Sequence, residues 1–417
     1  MLSSTWRGRT TRGVLAIGAA AALVLTGCSD KSTGDKGGAS STGTGSTNSS
    51  GLTITPVAQV DTSGKEVAKS DPAKAADPAG DGKATCAPDT TVAFAGALTG
   101  PNAQLGINIQ LGAKLALDQH NKANPGCQIT LKSFDTEGDP QKATSVIPQV
   151  VSDSKVIGLI GPAFSGETKA TGKVLSDAGL VSVTASATNA TLTQNGWTSF
   201  FRGLANDDVQ GPSVAKYLVN SAGYKKVCVV EDNSDYGTGL AKSIKEGLGS
   251  AADASCAASI KAGDKDFSAT VTKIKSANAD AVFYAGYYAE GAPLASQLKS
   301  GGVKSVFVGP DGVNDPQFIK QAGSAAKGAT LTCPCGPAPE KFAKDYLALN
   351  GQPSGVYSVE AYDLATILAK GIDGGKVARP ALLDFVRGYD GDGLARHYKW
   401  SPNGELTNAL IWIYTVK

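Results

Sequence analysis

Beyond Cys86 the sequence alternates: short runs of β-branched residues are each followed by a longer stretch with helical spacing. The strand-like runs are Thr91 to Ala95, Ile129 to Phe134, Val156 to Ile160, Leu180 to Thr184, Val227 to Glu231, Ala281 to Ala285 and Ser305 to Val308. Helical patterns between them cover Gln104 to Asn121, Pro140 to Asp153, Gly166 to Ala178, Gly237 to Gly247, Phe267 to Ala277 and Ala292 to Ser300. Strict alternation of this kind builds βαβ units and parallel sheets covered on both faces, so the fold class is α/β. The strands outnumber those of one such domain, and 417 residues leave room for about two or three domains. Phe201 to Gly211, with Asn206, Asp207 and Asp208, reads as a crossing between two lobes.

The first 27 residues have another character. Arg7, Arg9 and Arg12 precede an apolar run from Val14 to Leu25, too short for a bilayer span of about 20 residues. Residues 1–27 therefore read as a cleaved export signal. Leu25-Thr26-Gly27-Cys28 is similar to the bacterial lipobox, in which cleavage exposes a Cys that carries lipid, so Cys28 is the expected lipidation site. An ordinary secretory signal with a chance Cys is the alternative. From Ser29 to Gly51, 17 of 23 residues are Gly, Ser or Thr, which cannot bury enough apolar surface to offset chain entropy. Residues 28–84 are expected to be a disordered tether. The formal charge of +2 rests on the three leader arginines, so no nucleic-acid footprint remains.

Setting Cys28 aside leaves an even number of cysteines: Cys86, Cys127, Cys228, Cys256, Cys333 and Cys335. In an exported protein this points to disulfides. The preferred pairs are Cys86 with Cys127, whose strands begin side by side, then Cys228 with Cys256, and Cys333 with Cys335. Residues two apart on an extended chain sit near the upper limit of disulfide geometry, so the third pair stays open. Zinc at Cys-Pro-Cys is the competing reading, without a CxxC pair or clustered His to support it.

In open parallel sheets ligands bind beyond the carboxyl ends of the strands. After Val156 to Ile160 comes Gly161-Pro162-Ala163-Phe164-Ser165, where a hydroxyl meets the free amides of a helix start; Ser165 is either an anion ligand or a plain N-cap. Ala185-Ser186-Ala187-Thr188-Asn189 is a second hydroxyl-bearing exit. In the other lobe, Asp232-Asn233-Ser234-Asp235-Tyr236 and Gly286-Tyr287-Tyr288-Ala289-Glu290 combine acids with aromatic faces, which suits an ammonium group. Glu290 could instead complement its own helix dipole, and Tyr287 and Tyr288 could be interface residues. No GxSxG, GxGxxG or HExxH string occurs, and neither His120 nor His397 has a nucleophile nearby in sequence.

Together the strings FAGALTGPNAQLGINIQLGAKLALDQHN, VIGLIGPAFSG, TASATNATLT, FFRGLANDDVQG, EDNSDYGTGLAKSIKEGL, AGDKDFSATVTKIK, YAGYYAEGA and VGPDGVND resemble the leucine-isoleucine-valine-binding proteins, type I solute-binding proteins of ABC importers. The resemblance implies two Rossmann-like lobes joined by three crossovers with a ligand cleft between them. Residues 85–205 and 314–392 are expected in the N-terminal lobe, 206–313 and 393–417 in the C-terminal lobe. It further implies that Ser165, Ser186, Ala187 and Thr188 hold an amino-acid carboxylate, that Glu290 takes the ammonium, and that Tyr236 closes over the ligand. Leu105 stands where some relatives place an aromatic against the ligand side chain. The implied protein is a monomer and no enzyme. It needs no cofactor or metal, takes an amino acid with a branched or apolar side chain, hands it to ABC permease subunits, and meets the membrane through its lipid. A sensor of the same fold for an amide, urea, aromatic acid or signalling ligand is the other reading.

Overall fold

The computed structural model describes residues 51–68, 75–407 and 410–417. Its first element lies inside the expected tether. Ile54–Val60 forms strand β1, antiparallel to the strand Ile411–Val416 near the other end of the chain, and buries Ala58, Gln59 and Val60. The expectation of a loose coil is thus corrected at the described residues 51–68 and 75–84. The reason is that β1 covers a sheet edge whose N–H and C=O groups would otherwise lack partners, and a register shift beside Pro56 tolerates its missing N–H. Residues 76–84 are held as well: Ala76 N–H donates to Asp392 O (2.8 Å), Asn124 Nδ2 to Ala79 O (3.0 Å) and Ala84 N–H to Asn124 Oδ1 (3.0 Å). The export signal, Cys28 and the tether up to residue 50 lie outside the described residues.

Next come β2 (Thr91–Gly96), α1 (Ala103–Ala123), β3 (Thr130–Asp135), α2 (Pro140–Ser152), β4 (Val156–Ile160), α3 (Ser165–Asp177), β5 (Val181–Thr184) and β6 (Phe200–Arg202). The five strands form one parallel sheet in the order β3-β2-β4-β5-β6. Every residue of β2, β4 and β5 is buried, as strands covered on both faces require. One stripe of α1 buries Leu105, Ile109, Ala113, Ala116 and His120 at helical spacing. Asp139 caps α2 by accepting from Gln141 N–H (2.6 Å), with Pro140 at the first helical position.

The expected crossing is a strand end followed at once by α4 (Asp207–Lys216), capped by Asn206, whose side chain accepts from Val209 N–H (3.0 Å). The second sheet then assembles from β7 (Val227–Asp232), β8 (Ala258–Ile260), β9 (Ala281–Ala285), β10 (Val306–Gly309) and β11 (Thr330–Cys333). Between them run α5 (Asp235–Leu248), α6 (Ser268–Ala277), α7 (Tyr288–Ser300) and α8 (Pro316–Ala322). The chain returns to the first lobe through α9 (Glu340–Asn350), α10 (Ser358–Asp373) and α11 (Arg379–Arg387), with α10 packed along α1 and α11 against β4 and β5. A ribbon of β12 (Asp390–Asp392) and β13 (His397–Lys399) follows before β14 (Ile411–Val416). The second sheet runs β1-β14-β11-β10-β9-β7-β8. Gly112 lets α1 approach α10 closely, since a Cβ there would lie 2.1 Å from Ser358 O.

Two boundaries differ from expectation. Thr330–Cys333, expected in the N-terminal lobe, pairs with β10 and β14 in the second sheet. His397–Lys399, expected in the C-terminal lobe, pairs with β12, and the turn before it is fixed to α10 because Asp363 accepts from Leu394 and Ala395 N–H (both 2.7 Å). Both strands are too short to register as apolar periods. The cysteines are joined as Cys86–Cys127, Cys228–Cys256 and Cys333–Cys335, with Cα separations of 4.6, 5.4 and 4.9 Å. The acids of Asp390-Gly391-Asp392 bind His397 and Lys399. Among the described residues no helix is long and apolar enough to cross a membrane.

Candidate functional site

The loops that follow β4 and β5 meet those that follow β7 and β9. The Phe164 ring lies 4.8 Å from Tyr287, which in turn lies 5.0 Å from Tyr236. Asn189 Nδ2 donates to Asp235 O (2.6 Å), and Lys169 pairs with Asp235 (2.6 Å). The Phe164–Tyr287, Asn189–Asp235 and Lys169–Asp235 contacts join one lobe to the other, while Tyr236 and Tyr287 both belong to the second, and the groups stand at the carboxyl ends of the strands.

On the first-lobe side the backbone is shaped by Gly161, whose φ of 120° is open to glycine alone and whose Cβ, were there one, would lie 2.3 Å from Ala95 O. The turn delivers Ser165 to the start of α3, where Glu167 accepts from Phe164 N–H (2.9 Å). Burial pushes the Glu167 carboxyl up to about 7. Ser165 is buried, and its Oγ accepts from Asn189 N–H (3.2 Å), leaving the hydroxyl proton free to donate. Ser186 and Ala187 have partners already: the Ser186 hydroxyl donates to Ala163 O, Ala187 N–H donates to Thr184 Oγ1 (3.0 Å), and Ala187 O accepts from Arg202. Thr188 differs, because among the described residues its fully buried Oγ1 makes no hydrogen bond of normal geometry and has only the Asp207 carboxylate close by.

Beside Thr188 stands Asp207, at the first position of α4. Both of its carboxylate oxygens are buried without a hydrogen bond of normal geometry. Burial first, and then the neighbouring Asp311 carboxylate, push Asp207 well above the usual aspartate range, although the Thr188 hydroxyl and the Arg202 charge pull the other way. Asp311 follows β10 and is fully buried. Its Oδ1 accepts from Tyr236 OH (2.6 Å) and Gln210 Nε2 (2.9 Å), and its Oδ2 accepts from Tyr357 OH (2.6 Å). Burial raises this acid too, against those three hydrogen bonds. Gly312 keeps the approach open: a Cβ there would lie 3.0 Å from the Tyr236 ring and 3.1 Å from the Tyr287 ring. Tyr357 holds its position with a φ of 69°, a rare conformation for a bulky residue.

Glu290 lies in the first turn of α7, buried, and its Oε1 accepts from Gly263 N–H (2.8 Å). Burial raises its carboxyl as well. The structure places Ser165, Thr188 and Tyr236 of the expected set at facing strand exits and sets Asp207, Tyr287, Asp311 and Tyr357 around them, residues that the sequence reading did not single out for a ligand. Leu105 is fully buried in the core that also contains Ala97 and Phe164. Next to it at the lobe boundary is a hollow of about 190 Å³ lined in part by Gln104, Asn108, Asp315 and Lys320. Asn108 Nδ2 donates across it to Asp315 (2.8 Å), whose carboxyl burial pushes up to about 6.

Comparison with known proteins places this geometry in context. Residues 89–417 match the family described as periplasmic binding protein. The chain is 33% identical over 331 residues to the leucine-, isoleucine-, valine-, threonine- and alanine-binding protein of Pseudomonas aeruginosa, spanning 78% of this chain and 88% of that one. It is 30% identical over 328 residues to the Leu/Ile/Val-binding protein of Escherichia coli K12, spanning 77% and 89%. A branched-chain amino acid transporter substrate binding protein of Streptococcus pneumoniae, solved in complex with isoleucine, superposes with a TM-score of 0.72 at 28% identity, covering 78% of this chain and 99% of that one.

Proposed function

Because the chain belongs to the periplasmic binding protein family, we propose that it captures an amino acid with an apolar side chain between its lobes and delivers it to an ABC permease. The observation that carries this reading is the pair Asp207 and Asp311. Two fully buried carboxyls lie near enough for one to raise the other, and among the described residues neither is hydrogen-bonded to a lysine or arginine. Like charges so placed repel and resist ionisation, and a cation brought between them relieves both effects. A ligand ammonium is such a cation, and the Tyr236 and Tyr287 faces add attraction for it.

The other end of a zwitterion is met by Ser165, Thr188 and the free amides at the start of α3. Charge-assisted hydrogen bonds of this type contribute about 1.5 to 3 kcal/mol each. Phe164 and Leu105 supply apolar surface for the side chain. In this reading Asp311, and not Glu290, receives the ammonium. The protein works as a monomer outside the cytoplasm, held by lipid at Cys28, and it is a binding protein with no reaction of its own.

Calorimetric titration with leucine, isoleucine, valine, threonine and alanine tests the reading. At least one should bind at a single site with micromolar or better affinity, about −8 kcal/mol. No heat and no thermal shift with any of the five would rule it out. A shift with benzoate or a small amide alone would move the reading to a sensor of another small molecule.

A further inference from the structure

The side chain of Arg202, at the end of β6, is fully buried. Burying a guanidinium costs several kcal/mol unless its donors are engaged. Here the engagement is nearly complete. Nε donates to Glu405 Oε1 (2.9 Å), and Nη2 donates to Glu405 Oε2 (3.3 Å) and to Asn189 O (3.0 Å). Nη1 donates to Ala187 O, and the guanidinium stands 5.6 Å from the centre of the Phe200 ring.

The two carbonyls flank Thr188. With Ala187 O and Asn189 O held by one rigid fork, Thr188 O accepting from Asp207 N–H (2.9 Å) and Asn189 N–H donating to Ser165, the loop has little freedom left, and the Thr188 hydroxyl, beside the Asp207 carboxylate, makes no hydrogen bond of normal geometry. Glu405 lies on the third crossing between the lobes, which is itself fixed to β6. Arg202 N–H donates to Gly404 O (2.9 Å), Trp400 Nε1 donates to Arg202 O (2.6 Å), and Thr193 Oγ1 donates to Glu405 Oε2 (2.9 Å). A planar, permanently charged fork suits this task, and a lysine ammonium cannot span a carboxylate and two carbonyls at once.

We infer that Arg202, oriented by Glu405, is the positioning residue of the ligand loop: it ties Ala187–Asn189 to the third crossing and thereby sets where Thr188 meets the ligand. The inference rests on the amino-acid-capture reading. An arginine kept for stability alone would have a different signature, and the half-buried Arg379 is the comparison. Arg379 donates to Val156 O, Val151 O and Asp153 O (2.9 Å each), away from the loop.

The test compares Arg202→Lys, Glu405→Gln and Arg379→Lys in the full chain. Calorimetry with the amino acid that binds best should show Kd raised at least about tenfold in the first two, with one ligand still bound per folded molecule. Arg379→Lys should lower Tm and leave Kd unchanged. Folded Arg202→Lys and Glu405→Gln proteins with Kd within about threefold of the parent would overturn the inference. Should Arg202→Lys fail to fold, Glu405→Gln decides, since Glu405 is partly exposed. If the parent binds none of the five amino acids, the capture reading has failed instead. Amide hydrogen exchange then decides: residues 186–189 should exchange faster in Glu405→Gln than in Arg379→Lys, and equal rates would sink the inference.

Discussion

In the proposed reading, Asp207 and Asp311 make the cleft's affinity for a cation depend on proton occupancy. Both carboxyls are raised in the free protein, and a bound ammonium lowers them, so binding releases protons where they were still held. Ligand affinity should therefore increase as pH rises above the ordinary aspartate value, and the binding enthalpy at pH 6 should change with the ionisation enthalpy of the buffer. An enthalpy identical in phosphate and imidazole buffers would refute this. Asp311→Asn leaves the ammonium without its charge and should weaken binding about 100-fold or more, whereas Glu290→Ala should change it less than about threefold. The opposite order would restore Glu290 as the ligand. At this scale the sequence was only half legible. Hydroxyls at strand exits announce Ser165 and Thr188, but acids follow several strands alike. Asp311 opens a tight turn after β10 and Glu290 sits in the first turn of α7, and the spacing of acids in the sequence does not choose between the two as the proposed partner of the ammonium.

Among the elements, the β4–α3 connection bears most directly on the site. Gly161 combines a φ of 120° with backbone packed where a side chain would begin, while Gly179 has a φ of 59° and nothing within 4 Å. Gly161→Ala should cost about 2 kcal/mol or more and weaken ligand binding, and Gly179→Ala about 1 kcal/mol with binding intact. Thermal unfolding with a parallel titration checks both; equal losses would show that crowding by Ala95 is immaterial. Disulfides act at this scale too. Cys86–Cys127 and Cys228–Cys256 close segments with sequence separations of 41 and 28, for which chain entropy predicts about 3 to 4 kcal/mol each, so reductant should lower Tm clearly. The long apolar strands and amphipathic helices were legible because both faces of each sheet are covered. β1 was not, because its seven residues follow a Gly/Ser/Thr run and pair along their length with a strand more than 350 positions away.

For the whole molecule, the buried acids set the pH profile of stability. Glu167 and Asp363 are pushed up to about 7 and Asp232 and Asp315 to about 6, in each case first by burial. A carboxyl that ionises near 7 when folded and near 4 when unfolded holds more protons in the fold between those values. Stability therefore falls as pH rises from about 4 to about 7. His397, raised first by its hydrogen bond to Asp392, adds to the trend, because its contribution is complete below its ordinary value of 6.5 and fades above. Tm should be at least about 3 °C higher at pH 5 than at pH 8, and a steady rise over that range would contradict the assignment. The two-lobed plan itself could be inferred from strand number, yet the exact partition could not, since short strands such as Thr330–Cys333 are claimed by whichever sheet has an open place.

The pairing of Thr53 with Lys417, whose backbones exchange hydrogen bonds of 2.8 and 3.0 Å, has a practical side. A linker of a few residues could close the ring there and new ends be opened at an exposed surface turn, so that a circularly permuted version keeps both layers. Anything fused after Lys417 would emerge within touching distance of whatever enters at residue 51, so a donor and an acceptor dye placed at these points would report on the integrity of that seam without disturbing the capture of solute.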